Sequence, residues 1–170
     1  MARSRRGGAA LHRNFVESSR AQPTFPSGKV LGVADPRYIL DTGPLVAFTN
    51  AADAHHAWAK GVLDSLGEAP VSCEIVLAEA SYLLRGSRRA VDLILALPAH
   101  RRISLQPVLA ANSAEIRTAM AKYWPAMDVA DACILSLADR FPRAHIITTD
   151  LRDFCIYRRR EGQALNLIHP

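Results

Sequence analysis

Tyr38-Ile39-Leu40-Asp41-Thr42-Gly43-Pro44-Leu45 is a short apolar run that ends on a carboxylate and breaks at Thr-Gly-Pro. The run is too short for a helix, and Leu45-Val46-Ala47-Phe48 then opens a helical pattern. An apolar strand feeding a helix is one half of a parallel α/β unit. The acid stands at the carboxyl end of the strand, the edge at which open parallel sheets bind their ligands. His145-Ile146-Ile147-Thr148-Thr149-Asp150 repeats the arrangement near the other end of the chain. If the two strands are neighbours in one sheet, Asp41 and Asp150 face each other across its carboxyl edge.

Outward from these two strands, the pattern alternates. The first strand covers 37–41, and a helix follows to Thr49. Asp53 is placed to cap a helix from His55 to Leu66, with Gly67 as its stop. Val71-Ser72 is a short strand, 73–85 a helix, and 88–97 a helix closed by Pro98. Residues 102–105 form a strand, 111–123 a helix, and 128–139 the most apolar helix of the chain. The strand at 145–149 leads into a turn at 150–154, and the last strand is 165–168. Strands alternating with helices predict a mostly parallel sheet covered on both faces. The fold class is therefore α/β: a single-domain, three-layer α/β/α sandwich over residues 37–170, preceded by a flexible N-terminal extension.

That extension, residues 1–36, mixes Arg, Ser, Gly and Pro without sustained periodicity and reads as disordered. It holds six Lys/Arg and two acids, while residues 37–170 hold fifteen and fourteen. The net charge of +5 therefore sits mostly in the first 36 residues. It reads as a solvated tail, as residues upstream of the natural translation start, or as a basic arm that touches nucleic acid. Any nucleic-acid surface on the folded part must be a local patch. Ser27-Gly28-Lys29 lacks the glycine spacing of a phosphate loop. The three cysteines, Cys73, Cys133 and Cys155, form no Cys-x-x-Cys pair, so neither a disulfide framework nor a zinc site is indicated, and a reducing cytoplasm fits. No run approaches the ~20 apolar residues that span a bilayer, and no signal-peptide core follows the first arginines.

Four acids draw attention by position. Asp41 and Asp150 end strands. Glu79 borders the apolar side of its helix, three residues after Val76 and four before Leu83. Asp131 lies in Val129-Ala130-Asp131-Ala132-Cys133-Ile134-Leu135, with Asp128 one turn earlier on the same face. Taken singly, such acids are usually caps or surface ion pairs, the role assigned here to Asp53, Asp64 and Asp92. Taken together, desolvated carboxylates repel one another unless a cation joins them or some stay protonated. Oxygen-only ligands suit Mg²⁺ or Mn²⁺ rather than Zn²⁺. An ion so held can activate water and stabilise an in-line displacement at phosphorus. Asp41-Thr42-Gly43 lacks the second aspartate two residues on that an acyl-phosphate phosphatase would need. His55-His56 has no partner ligand near it and reads as a solvated helix start.

The segments Ile39-Leu40-Asp41-Thr42-Gly43-Pro44-Leu45, Ile75-Val76-Leu77-Ala78-Glu79-Ala80, Met127-Asp128-Val129-Ala130-Asp131-Ala132 and Thr148-Thr149-Asp150-Leu151-Arg152-Asp153-Phe154 resemble, in order and spacing, the PIN-domain family, of the VapC-like kind found as toxins in type II toxin–antitoxin pairs. The resemblance covers residues 37–160. It implies a metal-dependent endoribonuclease whose acids correspond to Asp41, Glu79, Asp131 and Asp150, with Asp128 and Asp153 as further candidates. These would hold one or two Mg²⁺ or Mn²⁺ ions, and RNA would be cut to a 5′-phosphate and a 3′-hydroxyl. Thr42 and Thr149, the threonine before the last acid, would orient a ligand or water. RNA contacts are expected from Arg85, Arg88, Arg89 and Arg158, with Tyr157 as a stacking ring; the alternative for each basic run is a solvated surface. The resemblance further implies a cognate antitoxin protein and a homodimer. A different class, a non-catalytic PIN module binding RNA or a protein partner, would lack any Mn²⁺-dependent stabilisation.

Overall fold

The structure, a computed structural model, describes residues 35–170. The expected N-terminal extension lies outside the described residues, apart from residues 35 and 36. Five short strands form one sheet: β1 (Tyr38–Leu40), β2 (Val71–Ser72), β3 (Ser104–Leu105), β4 (His145–Ile147) and β5 (Leu167–Ile168). Their order is β3-β2-β1-β4-β5 and every pairing is parallel. The chain thus starts in the middle of the sheet, builds outward through β2 to β3, and returns to β4 beside β1. The topological switch point, where α/β sheets open a crevice at their carboxyl ends, falls between β1 and β4.

Seven helices connect the strands: α1 (Thr42–Thr49), α2 (His56–Ser65), α3 (Glu74–Leu83), α4 (Arg88–Ala99), α5 (Leu109–Tyr123), α6 (Val129–Arg140) and α7 (Leu151–Phe154). Helices α1 to α4 pack on one another and α5 packs on α6, which also meets α3 and the central strands β1 and β4. Ile39, Leu40, Ile146 and Ile147 are fully buried, as strands covered on both faces require. Helix α6 buries Ala130, Ala132, Cys133, Ile134, Leu135, Leu137 and Ala138, which explains its nearly continuous apolar sequence.

The elements match the sequence pattern with a few shifts. Helix α4 runs through Pro98 to Ala99 rather than closing before the proline, whose missing N–H leaves the Ile94 carbonyl without its helical partner. Helix α2 starts at His56 after His55, and Asp53 instead accepts a hydrogen bond from the His55 backbone N–H at 2.8 Å. The expected turn at 150–154 is a single helical turn, α7. Strand β4 ends at Ile147, two residues before its expected end.

Candidate active site

The register of β1 on β4 decides what stands at the switch point. Tyr38 pairs with His145, Ile39 with Ile146 and Leu40 with Ile147. The Asp41 backbone N–H donates to the Ile147 carbonyl at 3.1 Å and extends that register by one step. Opposite Asp41 therefore stands Thr148, not Asp150. The Thr148 hydroxyl donates to Asp41 Oδ2 at 2.8 Å and accepts from the Asp150 N–H at 2.9 Å. Both Asp41 and Thr148 are buried. The threonine that links the acids is Thr148; Thr149 Oγ1 makes no hydrogen bond among the described residues and packs against Gly43 instead. A Cβ added at Gly43 would fall on Thr149 Oγ1, with Thr149 Cβ at 3.2 Å, so the close approach of α1 to the end of β4 requires glycine there.

Helix α3 leaves the carboxyl end of β2 and carries Glu79 into the same crevice. The Thr42 hydroxyl, in the first turn of α1, donates to Glu79 Oε2 at 2.6 Å. A hydroxyl that fixes a carboxylate also limits how that carboxylate can meet a ligand. Helix α6 brings the other pair. Asp128 is its N-cap and accepts from the Asp131 N–H at 2.9 Å, while Asp131 Oδ2 accepts from the Tyr157 hydroxyl at 3.0 Å.

The electrostatics bind these acids into one group. Burial raises the Asp41 carboxyl to about 6 against the opposing Thr148 hydrogen bond, and the charges of Glu79 and Asp128 add to the rise. Burial, followed by the charges of Asp128 and Asp41, raises Asp131 to about 7. Glu79 is raised too, by burial first and by Asp128 as the neighbouring charge. Asp128 acts on all three; of the two acids on α6, Asp131 is the desolvated one and Asp128 the exposed one. No lysine or arginine pairs with any of the four among the described residues.

Asp150 and Asp153 are held differently. Asp150 is exposed, caps α7, and accepts from the Asp153 N–H at 3.0 Å. Asp153 pairs with Arg152 Nε at 3.0 Å. Thr148 bridges Asp150 to the buried group through the Asp150 backbone rather than its carboxylate.

The oxygen-only donor set and its uncompensated negative charge fit a hard divalent cation. In their present rotamers, no three His, Cys, Asp or Glu side chains among the described residues stand grouped as ligands of one ion. Asp41, Glu79, Asp128 and Asp131 are the residues that could draw together around one.

The basic candidates are not joined to this group. Arg85 lies 4.2 Å from the Tyr82 ring centroid and donates to the Tyr82 carbonyl; Arg88 pairs with Asp92 at 3.5 Å; Arg89 lines a groove beside Phe48 and Lys60. Arg158 donates to the carbonyls of Cys155 and Tyr157. Tyr157 is corrected outright. It is fully buried, packs on Phe154 and Tyr123, and cannot stack on a nucleotide base. The residues missed from the sequence are thus Thr148 and, in its true position, Tyr157. Strand register and the three-residue spacing of Phe154 and Tyr157 were the available signals.

Fold and acids define a class: a three-layer α/β domain with an acidic crevice at the switch point of a parallel sheet. Residues 38–159 match the PIN domain. Ribonuclease VapC26 of Mycobacterium tuberculosis is 33% identical over 134 residues, covering 76% of this chain and 98% of that protein. Among solved structures, Mycobacterium tuberculosis VapC20, described as a sarcin-ricin loop cleaving toxin, superposes with a TM-score of 0.63 at 21% identity, covering 68% of this chain and 92% of that one. VapBC2 from Rickettsia felis, bound to a DNA fragment from its promoter, gives a TM-score of 0.51 at 20% identity over 78% and 98% of the two chains. The chain belongs to the PIN-domain family, with VapC ribonucleases among its relatives. No helix among the described residues is long and apolar enough to cross a membrane.

Proposed function

We propose that this chain is a Mg²⁺- or Mn²⁺-dependent endoribonuclease and the toxin of a toxin–antitoxin pair, working in the cytoplasm. The observation that carries the reading is the group of raised carboxyls of Asp41, Glu79 and Asp131 at the switch point, with no lysine or arginine paired to them among the described residues. The relationship to a VapC ribonuclease supports the reaction class.

Asp41, Glu79 and Asp131 would hold the ion, with Asp128 beside them and Asp150 and Asp153 at the rim. When bound, the ion supplies charge for the attacking water and for the negative charge that builds on the phosphate. The chain's own residues do the rest. Thr148 holds Asp41, Thr42 holds Glu79, and the Asp128 cap fixes the start of the helix that carries Asp131. Leu40 and Ile147, the strand residues just before Asp41 and Thr148, are fully buried. RNA is the proposed substrate, bound through local basic groups such as Arg158, Arg85, Arg88 and Arg89. A cognate antitoxin and a second copy of the chain are the proposed protein partners; the VapBC complex among the structural relatives supports the first.

The non-catalytic alternative has one observation in its favour, the absence of three acids already grouped as ligands among the described residues. Incubation of a total-RNA pool with purified protein in EDTA, Mg²⁺ and Mn²⁺ separates the readings. Metal-dependent cutting that disappears in both Asp41→Asn and Glu79→Gln is expected. Cutting that survives EDTA or both substitutions would place the activity elsewhere. No cutting and no Mn²⁺-dependent rise in thermal stability would favour the non-catalytic module.

A further inference from the structure

Tyr157 stands three residues after Phe154, the end of the last acidic motif, and is followed by three arginines. Its ring is nonetheless fully buried, edge-on to Phe154 at 5.4 Å and tilted against Tyr123 at 5.0 Å. The hydroxyl lies 3.0 Å from Asp131 Oδ2 and 3.2 Å from the Ala126 carbonyl oxygen. A phenol has one proton and so can donate fully to only one of two acceptors. An ionised carboxylate is the stronger acceptor, which favours Asp131 while that group is charged.

The two acceptors are not independent. Ala126 belongs to the loop between α5 and α6, two residues before Asp128. That loop is held at its other end by the Ala126 and Met127 N–H groups, both donating to the Tyr123 carbonyl. Asp131 lies one turn into α6, after the Asp128 cap. One hydroxyl thus touches both the side chain of the desolvated acid and the backbone that delivers its neighbour. The charged groups around it are Asp131 from α6 and, more remotely, Asp153 of α7, its cap Asp150 and the exposed Arg152. No basic side chain takes the Asp131 carboxylate among the described residues, so the phenol is its one side-chain donor.

We propose that Tyr157 is a positioning residue of the carboxylate site, its hydroxyl setting the Asp131 carboxylate in the arrangement that receives a divalent cation. This rests on the metal-dependent reading above. Tyr157 touches neither substrate nor ion; it acts through Asp131. A purely structural tyrosine would contribute stability alone.

Tyr157→Phe removes the hydroxyl and keeps the ring packing. Titration of the full chain with MnCl₂, followed by electron paramagnetic resonance of free Mn²⁺, gives affinity without reference to activity. Weakening by about ten-fold or more is expected, the range seen when a partner of a metal ligand is lost. In an Asp131→Asn background the same change is expected to have no further effect, since the residue through which it acts is gone. Should Tyr157→Phe lower the melting temperature but leave Mn²⁺ affinity unchanged, the role is structural and the proposal is overturned. Equal weakening in both backgrounds would overturn it as well. Wild-type protein that binds no Mn²⁺ would remove the metal-dependent reading and this inference together, a result distinct from the other two. If Tyr157→Phe does not fold, 3-fluorotyrosine at position 157 keeps both ring and hydroxyl. Its fluorine resonance is expected to move on Mg²⁺ addition in the wild-type background and not in Asp131→Asn; an unmoved resonance in wild type overturns the proposal.

Discussion

Two sets of aspartates and glutamates meet at the carboxyl edge of this sheet, and they are built on opposite terms. Asp41, Glu79 and Asp131 come from a strand end and two helices, lose solvent, and crowd one another around Asp128. Asp150 and Asp153 sit on a single helical turn, where one accepts a backbone N–H and the other pairs with Arg152. The first set carries charge that the described chain leaves unbalanced. In the second, Arg152 balances Asp153 and Asp150 stays exposed to solvent. Identical functional groups are thus expected to hold an ion in one place and to support its rim in the other, with burial and neighbours making the difference.

Substitution by the uncharged isostere is the strongest way to break the contrast. Asp41→Asn is expected to lower the initial rate on an RNA pool in Mn²⁺ at least ~100-fold, the scale of several kcal/mol of charge stabilisation. Asp150→Asn keeps a capping oxygen and is expected to stay within ~10-fold of wild type. If the Asp150 variant is as inactive as the Asp41 variant, the division between the two sets is wrong and Asp150 belongs to the site.

A second expectation concerns pH in EDTA. Asp41 and Asp131 titrate at about 6 and about 7 when folded, above the ~4 of an unfolded aspartate. The unfolded chain gives up these protons first. The stability these groups lend is therefore full below pH ~4 and is lost as pH rises through 6 and 7. Asp41→Asn removes its share, and the variant is expected to exceed wild type by on the order of 1–3 kcal/mol at pH 8 but not at pH 4. Urea midpoints at the two pH values check this; a variant no more stable at pH 8 would mean that Asp41 is not strained.

Smaller effects sharpen the picture. Thr148→Val keeps the shape and strands both the Asp41 oxygen and the Asp150 N–H, for a loss of about 1–3 kcal/mol in thermal or urea unfolding. Asp150→Ala removes the α7 cap and should cost ~1 kcal/mol, with Asp150→Asn near neutral by the same measurement.

Much of this was legible in the chain. The apolar runs ending on Asp41 and at Thr148, with helices between them, gave the parallel sheet and located its acidic edge. Glu79 and Asp131 were visible because each borders a helical apolar stripe. What escaped depended on long-range register and burial. Which threonine faces Asp41 turns on a pairing between residues 107 apart. Tyr157 looked exposed because three arginines follow it, yet Phe154 and Tyr123 enclose its ring.

The contact of Gly43 with Thr149 has a consequence for genetics. A methyl at 43 and the hydroxyl at 149 would occupy the same volume, so these two positions form a mutually exclusive pair in size. Gly43→Ala wedges the strand end away from α1, and Thr149→Ala clears the obstructing oxygen while leaving only a tight 3.2 Å approach between the two methyl carbons. In a host that the active chain harms, Gly43→Ala should appear among survivors and Thr149→Ala among the suppressors that restore harm. Position 149 then becomes a dial for the edge, set without touching any acid.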